Sequence, residues 1–182
     1  QYYKIFMIVV LLGYMGSGKS TIGSLLAKKL NYGFVDLDNY IETELNESIS
    51  NLFKKKGEIY YRITESKTVK KICKVHSNIV LSLGGGTPCY DNTMSLLLQN
   101  PNVFTVYLKA TSQTLYNRLN NKRIKRPLIS KIKDKMLEEF IAKHLFERSV
   151  FYSQAHHIIS VESKSNSQIV EAISIALKKN DF

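Results

Sequence analysis

An α/β fold, with a parallel sheet flanked by helices on both faces, is predicted for this 182-residue chain by three observations. Strand-like and helix-like stretches alternate along its whole length, the pattern left by parallel strands joined through helical crossovers. The run Ile5–Leu12 is continuously apolar and rich in β-branched residues, as a strand buried on both faces is. Gly13-Tyr14-Met15-Gly16-Ser17-Gly18-Lys19-Ser20 follows at once, in the spacing G-x-x-x-x-G-K-[ST] of a phosphate-cradling loop. Thr21 comes next, and Ile22, Leu25, Leu26 and Leu30 then recur at helical spacing.

The elements follow in order. Strands are predicted at 5–12, 34–37, 79–83, 103–108 and 157–161, and helical stretches at about 19–31, 38–46, 48–75, 91–99, 111–120, 132–154 and 165–179. Pro101 between Asn100 and Asn102 ends one helix before the fourth strand. Residues 121–131, basic and broken by Pro127, have no amphipathic period. They read either as a solvated charge run or as a cation-bearing lid, and the neighbouring phosphate loop favours the lid. Ser163–Ser167 is a polar turn, no repeat is visible, and a single domain over 1–182 is expected, with a lid at about 116–131.

Composition narrows the classes of function. The chain is 44% hydrophobic and 23% charged, as globular proteins are, and no apolar run is long enough to cross a bilayer. Residues 5–12 run directly into the loop, so they read as neither anchor nor signal peptide. The chain opens on Gln1, which makes Met7 a candidate native start. Cys73 and Cys89 form no C-x-x-C pattern, which points away from a disulfide scaffold or zinc site and toward reduced thiols in the cytoplasm. His76, His144, His156 and His157 have no metal-ligand spacing with them. The net charge of +11 raises nucleic-acid binding, but the lysines are scattered and no nucleic-acid-binding motif accompanies them. Anionic small molecules account for part of the excess, so neither nucleic acid nor membrane is an expected partner.

Several residues carry candidate chemistry. The backbone of Gly16, Ser17 and Gly18, with the start of the next helix, would hold phosphate; Lys19 would add a mobile charge and Ser20 a hydroxyl for Mg²⁺. Phe34-Val35-Asp36-Leu37-Asp38 is a short strand ending in two carboxylates, where an open parallel sheet faces its ligand crevice. Asp36 would serve a metal through water, and Asp38 would orient or deprotonate a hydroxyl, although one of the pair also suits a helix cap. Gly84-Gly85-Gly86 after the third strand lets a ligand approach bare backbone. Arg62 has Glu58 four residues before it and Glu65 three after, within reach on a helix; surface pairing and ligand binding remain equally open there. Arg148 continues the apolar face Leu137, Ile141, His144, Leu145, where a charge is normally paired or turned to a ligand. Two such arginines suit a carboxylate.

Taken together and in this order, Gly13–Thr21, Asp36-Leu37-Asp38, Gly57-Glu58 leading to Arg62, Leu83–Gly86, Arg126-Pro127-Leu128 and Arg148 resemble the shikimate kinase family over essentially the whole chain. The resemblance implies a three-layer P-loop kinase fold with five parallel strands in the order 2-3-1-4-5. It implies transfer of the γ-phosphoryl of MgATP to the 3-hydroxyl of shikimate by a monomeric enzyme. It also assigns Lys19, Ser20 and Thr21 to ATP, Ser20 and Asp36 to Mg²⁺, and Asp38 to the shikimate hydroxyls as base or orienter. Arg62 and Arg148 would take the carboxylate, with Gly84, Gly85 and Gly86 lining the ring, Arg118 along the adenine, and Arg126 swinging in to stabilise the transferring phosphoryl group. The chain departs from the pattern at Tyr61, where phenylalanine is usual, at Val150, where proline often follows the arginine, and in 163–167, which lacks a proline often found near adenine. A gluconate or nucleoside monophosphate kinase and a catalytically silent domain of the same fold are the alternatives.

Overall fold

The structure, a computed structural model, describes residues 7–120, 132 and 134–180. Residues 121–131 of the predicted lid, Arg126 among them, and the start of the apolar run at 5–6 lie outside the described residues. Strands β1 (Ile8–Leu12), β2 (Gly33–Asp36), β3 (Ile79–Ser82), β4 (Val103–Lys109) and β5 (His157–Ser160) form one parallel sheet in the order β2-β3-β1-β4-β5. Ile8 sits opposite both Ile79 and Val103, so β1 is the central strand. Every residue of it is buried, which is why its sequence does not alternate. At the edges the pattern loosens: β2 keeps no fully buried residue, and in β5 only Ile159 is buried.

Seven helices flank the sheet among the described residues: α1 (Lys19–Leu30), α2 (Leu37–Leu45), α3 (Ile49–Val75), α4 (Thr93–Gln99), α5 (Ser112–Asn120), α6 (Asp134–Tyr152) and α7 (Asn166–Lys179). Helix α1 packs on β3 and α7, with Ile22, Leu26 and Ala27 buried and Leu25 turned out to solvent. Residues 116–120, placed at the start of the lid by the sequence, are the last turn of α5, which packs against α6. Side chains start several helices: Asp36 Oδ1 accepts from the Asn39 amide, Ser48 Oγ from Asn51, and Ser165 forms a reciprocal capping box with Gln168.

Two details depart from the sequence reading. The stretch 48–75 is not one continuous helix: Gly57, at φ +80 and ψ 172, breaks α3 in a conformation that L side chains rarely adopt. The helix predicted from residue 91 starts at Thr93, because Asp91 itself takes a positive φ of 52 and a 3-10 turn, Thr87–Cys89, comes before it. The sheet order has a direct consequence for function. It sets the C-terminal ends of β2, β3 and β1 side by side, so the segments after Asp36, Ser82 and Leu12 open onto one crevice.

Candidate active site

The loop after β1 carries Gly13, Gly16 and Gly18 at φ 142, 84 and 103, and leads straight into α1. Lys19 is buried, and its Nζ donates to the carbonyls of Gly13 (2.9 Å) and Tyr14 (3.1 Å), which tether the ammonium across the loop's mouth. Ser20 Oγ donates to Asp36 Oδ2 at 2.6 Å, so the hydroxyl and carboxylate proposed for a metal already meet. Arg118, from α5, donates to the carbonyls of Gly16 (3.1 Å) and Ser17 (3.3 Å), fixing that helix to the loop.

A cavity of about 830 Å³ lies over the loop, walled by Gly16–Thr21, Asp36 and Arg118. A second cavity, about 300 Å³, is walled by Arg62, Gly86 and Arg148. Asp38, Gly84, Gly85 and Met15 line both. The larger space suits a nucleotide and the smaller one a single small ring.

Asp38 holds the junction. Its carboxyl is pushed above the ordinary carboxylate range by burial, while the hydroxyl of Tyr61, donating to Oδ1 at 2.9 Å, opposes the shift. Asp36 caps α2 and also lines the nucleotide cavity, so acting as a cap does not take it out of the crevice.

Both arginines reach the smaller cavity, by different means. Arg62 is 7% exposed, with Nη1 2.6 Å from Glu65 Oε2 and with Nη2 (3.0 Å) and Nε (3.2 Å) donating to Glu58 Oε1. Both helical neighbours named from the sequence do pair with it, Glu65 in the interior and Glu58 at the surface. Glu65 also accepts from the Thr87 hydroxyl at 2.5 Å, and the guanidinium lies 4.6 Å from the Tyr90 ring centre. Arg148 is 4% exposed, and its Nη1 has no hydrogen-bond partner among the described residues. That atom would stand 3.7 Å from a Cβ on Gly85, whose carbonyl accepts from the Tyr152 hydroxyl. A buried, unpartnered guanidinium N–H costs stability unless a ligand satisfies it.

The glycine run is explained by what crowds it. A Cβ on Gly86 would meet Arg62 Nη1 at 2.6 Å, and one on Gly84 would meet Glu65 Oε1 at 2.6 Å. Because two carboxylates hold Arg62, it cannot swing aside cheaply. Gly86→Ala is therefore expected to cost about 1–3 kcal/mol of stability, read from the denaturant midpoint; an unchanged midpoint would show that Arg62 has room to move.

Some contributors escaped sequence reasoning. Tyr14, inside the loop motif, has its hydroxyl 3.0 Å from His144 Nδ1 and its ring 5.7 Å from the Arg148 guanidinium carbon. Burial and the Arg148 charge push His144 down to about 4, so it is neutral near pH 7. Lys164 and Asn166 line the nucleotide cavity, in the 163–167 segment that the family pattern sets near adenine but for which no residue was named. His156 accepts from the Thr105 amide at 3.1 Å and stacks on Phe104, so its ring is held against the fold.

A parallel sheet with a phosphate loop at its centre, opening onto two cavities with a common carboxylate, defines a P-loop kinase of small molecules. The sequence model of the family described as "Shikimate kinase" matches residues 15–178. Shikimate kinase from Flavobacterium johnsoniae is 46% identical over 165 residues, 91% of this chain and 95% of that one. The crystal structure of shikimate kinase from Bacteroides thetaiotaomicron superposes with a TM-score of 0.87 at 32% identity, covering 95% of this chain and 99% of that one. Shikimate kinase from Acinetobacter baumannii in complex with shikimate has a TM-score of 0.87 at 26% identity, over 96% and 94% of the two chains. The chain belongs to the shikimate kinase family.

Proposed function

We propose that the protein transfers the γ-phosphoryl group of ATP to the 3-hydroxyl of shikimate, giving shikimate 3-phosphate and ADP, with the residues of the two joined cavities in the following roles. The observation that carries this reading is the shared wall: Asp38, Gly84 and Gly85 border the phosphate-loop cavity on one side and the arginine-lined cavity on the other. An acceptor hydroxyl at Asp38 then lies next to the space for the terminal phosphate.

The amides of Gly16, Ser17 and Gly18 and the start of α1 receive the phosphates, with Thr21 on the same wall. Lys19 exchanges the carbonyls of Gly13 and Tyr14 for phosphate oxygens. Mg²⁺ fits the hydroxyl–carboxylate pair Ser20–Asp36, since it is held by a few hard oxygens while keeping water and phosphate in its shell. When bound, it would neutralise charge developing between the β- and γ-phosphates. Asp38 holds the acceptor hydroxyl and takes its proton. Arg148 presents Nη1 to the acceptor carboxylate; Arg62, fixed by Glu58 and Glu65, offers its remaining N–H groups beside it. Arg118 lies along the adenine side of the cavity, and Arg126, outside the described residues, is proposed to stabilise the transferring group. The described residues of a single chain line both cavities, which supports a monomer as the working unit. The unpaired Cys73 and Cys89 support a cytoplasmic location.

A coupled assay of ADP release tests the reading. Shikimate is the expected acceptor, with gluconate and nucleoside monophosphates inert. Turnover of another acceptor without turnover of shikimate would end it.

A further inference from the structure

Tyr61 departs from the family pattern, and its added hydroxyl has a partner in the structure. The ring is 3% exposed, lies 4.9 Å from Phe53 between centroids, and forms part of the acceptor cavity wall. Its hydroxyl donates to Asp38 Oδ1 at 2.9 Å across 23 residues of sequence. Burial first, and then the Glu65 and Asp38 carboxylates, push the phenol far above its ordinary range, so it remains a donor at any working pH. Gly84 keeps the space beside the same oxygen open: a Cβ there would stand only 3.2 Å from Asp38 Oδ1.

The terminal torsion of an aspartate is broad and roughly twofold, so packing alone sets its carboxylate plane loosely. One strong donor on one oxygen sets it firmly. We propose that Tyr61 is a positioning residue for phosphoryl transfer, its hydroxyl pinning Asp38 Oδ1 and so committing Oδ2 to the acceptor hydroxyl. This deepens the assignment of Asp38 as the group that meets the acceptor, and rests on it. In this role the hydroxyl acts on the reaction through Asp38.

Tyr61→Phe removes only the hydroxyl and keeps the ring. Its kcat is expected to fall about tenfold, the effect of losing one hydrogen bond to a charged group. The KM for ATP should stay within about twofold and that for shikimate within about threefold, since the lost contact orients rather than binds. A second variant, with 3-fluorotyrosine incorporated at position 61, retains a donor and is expected to keep kcat within about threefold of the wild type. A Tyr61→Phe enzyme with kcat within about twofold of the wild type would overturn the proposal. So would a parallel loss of ADP affinity, which marks a packing role, or an equal fall in the fluorotyrosine enzyme. Wild-type protein inert toward shikimate overturns the functional reading as well as this one. Active wild type with unimpaired Tyr61→Phe overturns only the role of Tyr61.

Discussion

Asp38→Asn is expected to lower kcat by at least about 10²-fold, the lower end of what a positioned acid or base contributes, while ADP binds within about twofold of the wild-type affinity. The substitution keeps the size of the side chain and leaves an amide oxygen for the Tyr61 hydroxyl, so the wall between the cavities stays in place. What it removes is the capacity to take a proton and the charge that holds an acceptor hydroxyl. The phosphate loop, with Lys19 on the carbonyls of Gly13 and Tyr14, is untouched. Steady-state kinetics beside an ADP titration separate the two effects. Full turnover by Asp38→Asn would remove Asp38 from the chemistry; a matching loss of ADP affinity would make it a structural carboxylate.

Arg148→Ala is expected to raise the KM for shikimate about 10- to 100-fold with the KM for ATP nearly unchanged, the scale of one lost hydrogen bond to a charged group. The asymmetry between the two arginines motivates this. Arg62 spends three N–H contacts on Glu58 and Glu65, whereas Arg148 keeps Nη1 unpartnered among the described residues although it is buried. A second readout follows from linkage, since a ligand that binds only the folded protein raises its melting temperature. Saturating shikimate should stabilise the wild type and fail to stabilise Arg148→Ala. Arg148→Lys is expected to recover only part of the affinity, because an ammonium replaces a planar fork with a point charge. Equal changes in both KM values would place Arg148 outside the acceptor site.

Most of the framework could be read from local signals. The apolar run before Gly13, the glycine and lysine spacing, and the helical offsets among Glu58, Arg62 and Glu65 each act over a few residues, and each has its counterpart in the structure. The sheet order came from resemblance, because periodicity finds strands without pairing them; the observed order then brings Asp36, Gly84 and Gly13 to one end of the sheet. Contacts between distant segments were not legible. Nothing near Tyr14 indicates His144, 130 residues away, and nothing near Tyr152 indicates the Gly85 carbonyl. Gly57 was read as part of a motif, not as the break in α3 that its positive φ makes it. Tyr61 shows the limit most clearly: the sequence marks it only as a departure from the family pattern, and only packing reveals that its hydroxyl meets Asp38.

The most direct measurement is a crystal structure of the protein with ADP and shikimate bound together. The expected result is a ring in the cavity between Asp38 and Arg148, its carboxylate on Arg148 Nη1 and the Arg62 guanidinium, and its 3-hydroxyl on Asp38 facing the phosphate loop. Shikimate bound elsewhere, or seated with its carboxylate turned away from both arginines, would contradict the account.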